Sequence, residues 1–354
     1  VCDRFIVPTA VLRRLAEDAS IPAESRDAMR ESIAIEDMWR GLRIAHTSAT
    51  QSSLLAAEFI GRHLAGALAT APAVTIYDCK NTRSLPGLPV ADPPDSSDIT
   101  AKRVFDTTHS VVDFYRECFG RNSVDGKGMT LMSSIHYGVR YDNAFWNGAQ
   151  MTYGDGDGRV FVDFTKSDDV IGHELTHGVT QFTAGLDYSD EAGALNESIS
   201  DAFGAMFHQW RNKQTVSESD WLVGPGVLGP TAIAKGYNCL RNMADPGSQQ
   251  CLSPQPSHYA DYVPGGDPHQ NSGIPNHAFY LAAMNVGGRS WEKTGKVWYA
   301  ALTNPDADPA MDFGSFAALT RSAARSLFPA DRAVYRGVDD AWTRVGIPPA
   351  DIST

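Results

Sequence analysis

Val170 to Val179 reads VIGHELTHGV, and its two histidines and one glutamate are residue types that can carry out hydrolysis. His173 and His177 are four residues apart, so on a helix both imidazoles lie on one face, within reach of a single metal ion. Glu174 sits one step round from the first histidine, where a carboxylate can take a proton from a water on that metal. A third ligand follows twenty residues after His177. Glu197 offers a carboxylate oxygen, and two histidines plus a glutamate are the donor set of a catalytic zinc with one position left open. Asp201 is four residues further on, on the same helical face, placed to accept the other ring N–H of a ligand histidine.

Two buried helices must hold these groups. Val170, Ile171, Leu175 and Val179 surround the first motif, and Ala194, Leu195, Ile199, Ala202 and Phe203 surround the second. A carboxylate on so apolar a helix needs a partner, and zinc is one.

The 354 residues are too many for one compact core, so more than one domain is expected. Net charge of −12 argues against nucleic acid, which needs clustered Lys and Arg. No apolar run spans a bilayer: Ser53 to Ala73 is interrupted by Glu58, Arg62 and His63 and reads as a short amphipathic helix. No signal sequence is visible after Val1, so a secreted protein and cytoplasmic accumulation both stay open, with secretion favoured. Of the five cysteines, Cys239 and Cys251 flank a Pro/Gly/Gln-rich loop, where a disulfide and two free thiols are about equally compatible with the sequence.

Along the chain, Val11 to Ala19 and Ser25 to Leu42 carry apolar residues at helical spacing and no catalytic types. The helical stretch Gln51 to Ala69 and the following Thr70-Ala-Pro-Ala form a linker. From Ala73 the pattern turns to strands, with Val74–Asp78 and Met129–Tyr137 alternating, and a helix over Thr100–Arg116 between them. Asn143 to Trp146 reads as a sheet edge that can pair with an extended peptide. Gly154 to Gly158 lacks the oxygen ligands and final Glu of a calcium loop and reads as a hairpin turn. From Leu186 onward the pattern is mainly helical, which makes the fold class α+β.

The chain resembles the thermolysin-like gluzincin metallopeptidases over about residues 72 to 354. Tyr141 to Gly148, Tyr153 to Gly158, His173 to His177, Asn196 to Asp201, Arg241 to Pro246 and His269 to Asn276 occur in that family's order. The resemblance implies a two-lobed zincin: a β-rich lobe with the zinc helix over 73–185 and an α-helical lobe over 186–354. Residues 1–50 correspond to an inhibitory propeptide in the cleft and 51–72 to the processing region. Phe5 to Leu12 is similar to the apolar-Pro segment of the short prosegment in protealysin-like members, which implies an autoprocessing zymogen.

By the same resemblance, one zinc is held by His173, His177 and Glu197, Glu174 is the general base, and Tyr188 and His269 stabilise the oxyanion. Asn143, the Ala144 carbonyl and Arg241 hold the substrate backbone. Phe161, Phe164, Val170, Val223 and Leu240 line a pocket for a large apolar residue on the leaving side. The implied function is a neutral endopeptidase, acting as a monomer on proteins and peptides. The alternative is a non-catalytic zinc-binding module that kept the fold. Three points depart from the family or go beyond it. Pro264 stands where an aspartate usually orients the second histidine, leaving Asp267 and Asp261 as substitutes. His208 replaces a carboxylate of the double calcium site, of which only Asp169 is clearly kept, so no calcium is expected there. If Cys239 pairs with Cys251 and Cys79 with Cys118, Cys2 is left over as a candidate latency ligand for the zinc.

Overall fold

The computed structural model describes residues 4–47 and 72–349. Cys2 and nearly all of the 51–72 linker lie outside the described residues, as does the Gln51 to Ala69 helix expected there. The first 47 residues open with a two-residue strand, β1 (Arg4–Phe5), followed by α1 (Thr9–Glu17) and α2 (Ala23–Thr47). Sequence periodicity anticipates the helices. The strand is too short to leave a period, and its partner lies some 140 residues away, at Phe145 and Trp146.

The β-rich lobe follows with β2 (Val74–Asp78), β3 (Leu88–Pro89), α3 (Ile99–Phe119), β4 (Leu131–Ile135), β5 (Ala144–Trp146) and β6 (Met151–Tyr153). Asp98 caps α3 by accepting from the Thr100 and Ala101 N–H groups, and Gly120 ends it in the left-handed conformation at φ 67°. The six strands form one sheet in the order β1-β5-β6-β4-β2-β3. Strand β5 is therefore the edge of the lobe's own sheet, and β1 covers it. The Gly154–Gly158 stretch is not the hairpin turn the sequence suggests. Strand β6 ends at Tyr153 and the next pairing is an isolated bridge from Phe161 to Leu228. Between them Asp157 accepts the N–H groups of Arg159, Val160 and Phe161, and Asp155 binds His136. Its aspartates act as local turn formers and a histidine partner.

Two long helices then cross at the centre, α4 (Asp168–Gln181) and α5 (Asp190–Arg211). Gly204 allows their close approach: a Cβ there would sit 2.6 Å from the Asp169 carbonyl oxygen and 3.1 Å from the His173 nitrogen. Gly172 faces it, with the Gly204 Cα 3.2 Å from where its own Cβ would be. This contact brings the histidines of α4 within reach of the carboxylates of α5. A small ribbon, β7 (Leu222–Val223) with β8 (Arg241–Asn242), flanks α6 (Pro230–Ala234). The helical lobe is completed by α7 (Pro268–Asn271), α8 (Gly273–Val286), α9 (Thr294–Leu302), α10 (Phe313–Leu327) and α11 (Arg332–Arg344). No helix among the described residues is long and apolar enough to cross a membrane.

Candidate active site and metal centre

His173, Glu174 and His177 lie on α4 and Glu197 on α5, all fully buried. His173 Nε2 is 3.4 Å from Glu197 Oε2, and His177 Nε2 is 3.4 Å from Glu197 Oε1. One donor atom from each of the three residues lies within 4.8 Å of the others. Each imidazole is oriented by its far nitrogen. His173 Nδ1–H donates to Asp201 Oδ1 at 2.8 Å, and His177 Nδ1 faces Asn196 Oδ1 at 3.0 Å and Ser200 Oγ at 2.9 Å. Those bonds leave both Nε2 lone pairs pointing at one spot. His173 Nε2 and Glu197 Oε2 are buried without a hydrogen-bond partner, a costly arrangement that a metal ion resolves. Two imidazoles and one carboxylate fit zinc.

The roles of Asn196 and Ser200 toward His177 were not legible in the sequence. Short polar residues inside a helix carry no signal of their own, although their offset from His177's ligand partner Glu197 places them on an adjoining face. Asp201 has a larger part than a histidine partner. It also accepts two bonds from Arg241, at 2.8 and 2.7 Å, and one from Asn276 at 2.8 Å. Burial opposes its charge, but Arg241 and His173 outweigh that and hold its carboxyl well below the usual range.

Glu174 accepts the Trp146 backbone N–H at 3.0 Å. Burial pushes its carboxyl well above the usual range, with His173 opposing and Glu197 adding to the rise. Tyr188 donates its hydroxyl to Glu197 Oε1 at 2.5 Å. His269 sits on α7 with Nδ1 at 2.8 Å from Asp267 Oδ1, so Asp267, which also caps α7, is its orienting carboxylate and Asp261 is not. Burial disfavours the charged ring, yet Glu197 and Asp267 raise its pKa.

The cleft holds the chain's own residues. Ile6 N–H donates to the Ala144 carbonyl at 3.1 Å. Val7 N–H donates to Asn143 Oδ1, and Asn143 Nδ2 donates to the Val7 carbonyl, each at 2.9 Å. Arg241 Nη1 donates to the Ile6 carbonyl at 2.9 Å and His269 Nε2 to the Phe5 carbonyl at 2.6 Å. With acceptors at both ring nitrogens, His269 is an imidazolium here. Ile6 is fully buried and belongs to the main apolar core of the molecule, to which Phe161, Phe164, Val170, Val223 and Leu240 also belong. Glu36 of α2 completes the contact, accepting from Asn143 Nδ2 at 2.8 Å and from Thr9 Oγ1 at 2.5 Å. No sequence signal marks Glu36, which looks like one more charge on a polar helix face.

At the position of the expected calcium departure, His208 Nδ1 lies 2.6 Å from Asp168 Oδ1 and Arg211 Nη1 lies 3.5 Å from Asp168 Oδ2. Asp169 is engaged by the Ser167 hydroxyl at 2.5 Å and the Gly224 N–H at 2.6 Å. Cys79 and Cys118 are separate thiols, and Cys239 and Cys251 are thiols with sulfurs 3.3 Å apart. Cys79 faces the Pro86 carbonyl and Cys118 lies beside Lys296 and Glu292, so these two thiols are not paired among the described residues.

A His-Glu-x-x-His helix completed by a glutamate on the following helix defines the gluzincin metallopeptidases. Residues 96–181 match the family model of the thermolysin metallopeptidase catalytic domain, and residues 184–347 match that of its alpha-helical domain. Protease PrtS of Photorhabdus sp. (strain Az29) is 44% identical over 286 residues, covering 77% of this chain and 76% of that protein. An extracellular metalloprotease of Pectobacterium carotovorum subsp. carotovorum is 42% identical over 284 residues, covering 77% and 80%. Among solved structures, the precursor of protealysin, a metalloproteinase from Serratia proteamaculans, superimposes with a TM-score of 0.82 at 37% identity, over 97% of this chain and 99% of that one. The chain belongs to the thermolysin metallopeptidase family, in the protealysin-like branch, and is a zinc-dependent metalloendopeptidase.

Proposed function

We propose that this chain is a latent, self-processing neutral endopeptidase that cuts on the amino side of large apolar residues, with residues 1–50 as its inhibitory propeptide. The observation that carries this is the backbone of Phe5, Ile6 and Val7 lying antiparallel along β5, hydrogen-bonded by the groups expected to hold a substrate. In that register Ile6 occupies the position of the residue after the scissile bond and Phe5 supplies the carbonyl beside His269. The apolar surroundings of Ile6 support a preference for large apolar residues there. One methylene is worth only about 1–3 kcal/mol of discrimination, so specificity is broad.

When bound to His173, His177 and Glu197, zinc supplies Lewis acidity, polarising a carbonyl and lowering the pKa of water. Glu174 takes the proton of the attacking water and returns it to the leaving amine. Its burial favours the protonated carboxyl, in keeping with a group that takes up the proton of the water. The His269 imidazolium and the Tyr188 hydroxyl, turned from Glu197, donate to the oxygen on which charge develops. Asn143, Ala144 and Arg241 hold the substrate backbone in line. His208 and Arg211 beside Asp168 supply the positive charge that a calcium ion would bring, which supports a calcium-free site. All the groups of the site come from one chain, in keeping with a monomer, and the relative named as extracellular supports secretion.

A time course of the purified chain on casein, beside Glu174→Ala, tests this reading. Loss of about the first 50 residues, with rising chelator-sensitive activity in the wild type alone, is expected for proton transfer by a buried carboxylate. Full activity with the prosegment still attached and docked would overturn the latency.

A further inference from the structure

Cys239 and Cys251 close the base of the segment that carries Arg241. They are paired across an isolated parallel bridge, with Asn238 N–H donating to the Gln250 carbonyl and Leu252 N–H to the Cys239 carbonyl, both at 3.0 Å. Bridge partners have Cα atoms roughly 5 Å apart, inside the roughly 4.4–6.8 Å window of a disulfide. Both side chains are buried, at 0% and 1% exposure, and their sulfurs are 3.3 Å apart. A disulfide requires only that this gap close to about 2.05 Å, which a small rotation at each Cβ provides.

What the pair holds is functional. Leu240 donates its N–H to the Val223 carbonyl, Ser253 donates to the Leu240 carbonyl, and Arg241 follows directly. Among the described residues the Arg241 guanidinium donates hydrogen bonds to Asp201 and to the Ile6 carbonyl. The far arm of the same segment meets the prosegment, where Arg14 donates to the Leu252 carbonyl.

We propose that Cys239 and Cys251 are a disulfide-forming site whose oxidation locks the 239–253 segment and so positions Arg241 on the carbonyl of the residue after the scissile bond. The co-reactant is a low-molecular-weight disulfide or a thiol–disulfide oxidoreductase, met while the segment is still open during folding. One protein thiolate attacks the co-reactant, releasing one thiol. The second thiolate attacks the mixed disulfide at the protein sulfur and expels the other thiol. Two protein thiols are oxidised, one external disulfide is reduced to two thiols, and the two protons lost by the protein end on those leaving thiols. The kinetic part rests on the role given to Arg241 above; the covalent part does not.

Full-length protein refolded in a glutathione redox buffer is denatured, alkylated and mapped by mass spectrometry. The expected result is a linked 239–251 pair, lighter than the reduced form by two hydrogen atoms, with Cys79 and Cys118 alkylated. Alkylation of all the cysteines would overturn the site. Peptide hydrolysis by activated enzyme is then compared in the linked and the reduced forms. Loosening a charged hydrogen bond in the reduced form is expected to raise KM about 3- to 10-fold at nearly constant kcat. The Cys239→Ser, Cys251→Ser double variant should match the reduced form. Equal KM in both forms, with the link mapped, would overturn the positioning of Arg241. A parallel fall in kcat with no change in KM would overturn it too, pointing instead to general damage of the site.

Discussion

Replacing Glu36 by Gln should tighten the docked prosegment at neutral and alkaline pH. Glu36 is fully buried between α1 and β5. The groups that face it are the Thr9 hydroxyl, the Asn143 amide, and Arg40 at 3.5 Å, with the Asp37 carboxylate one residue away. Burial outweighs the hydrogen bonds and Arg40 and raises its pKa from 4.5 to about 7. A docked pKa above the solvated one means the docked state binds more protons. Docking is therefore strongest below pH 4.5 and weakens as pH rises, levelling off above about 7. At about 1.4 kcal/mol per pH unit, the shift from 4.5 to about 7 gives a full loss of about 3.5 kcal/mol, or roughly 300-fold in the docking equilibrium. A glutamine keeps an oxygen for Asn143 and a donor for Thr9, while Arg40 retains Asp37 at 3.0 Å. In a Glu174→Ala background, which removes processing, hydrogen exchange of the Ile6 and Val7 amides, corrected for intrinsic rates, reports docking. The wild type should lose protection between pH 5 and 8 by roughly 100-fold and the Gln variant should stay flat. Parallel profiles for the two proteins, or faster exchange in the variant at pH 8, would refute the argument.

Other expectations concern the supporting shell. Asp201→Asn strips a partner from His173 and leaves Arg241 buried without its charge pair. Zinc affinity, read by chelator competition, should fall about 10- to 100-fold, and stability by about 3–5 kcal/mol in urea unfolding. Asp267→Asn removes one of the groups that raise the His269 pKa. The alkaline limb of kcat/KM should move to lower pH, because the imidazolium is then lost sooner. His136, held between Asp155 at 2.8 Å and Asp98 at 2.9 Å, has its pKa raised to about 9, mainly by the hydrogen bond with Asp155. Its contribution to stability is complete below 6.5 and lost as pH rises through 9. The melting temperature should fall across that interval in the wild type and stay level in His136→Gln.

The zinc centre was legible in the sequence because its geometry is local. Two histidines four apart need only a helix, and Glu197 with Asp201 needs only another. What escaped depends on groups that meet across the fold. His269 was visible, but the choice of Asp267 over Asp261 turned on a four-residue helix whose cap is Asp267 itself. Strand β1 is defined by its partner rather than by its own two residues, and Glu36 is exceptional only because α2 lies over Asn143. The Gly154–Gly158 stretch misled because glycines and aspartates serve a hairpin turn and an irregular loop equally well.

The covered edge of the sheet has a consequence for the life of the protein before it ever meets a substrate. With β1 removed, β5 is an open strand edge, which is a template for joining to another copy of the chain. Newly made chains pass through partly folded states in which such edges meet one another. By laying β1 along β5 and sealing it with Asn143 and Glu36, the prosegment occupies that template from within the same chain. Because β1 precedes β5 in the chain, the covering segment is made before the edge it covers and guards that edge against aggregation.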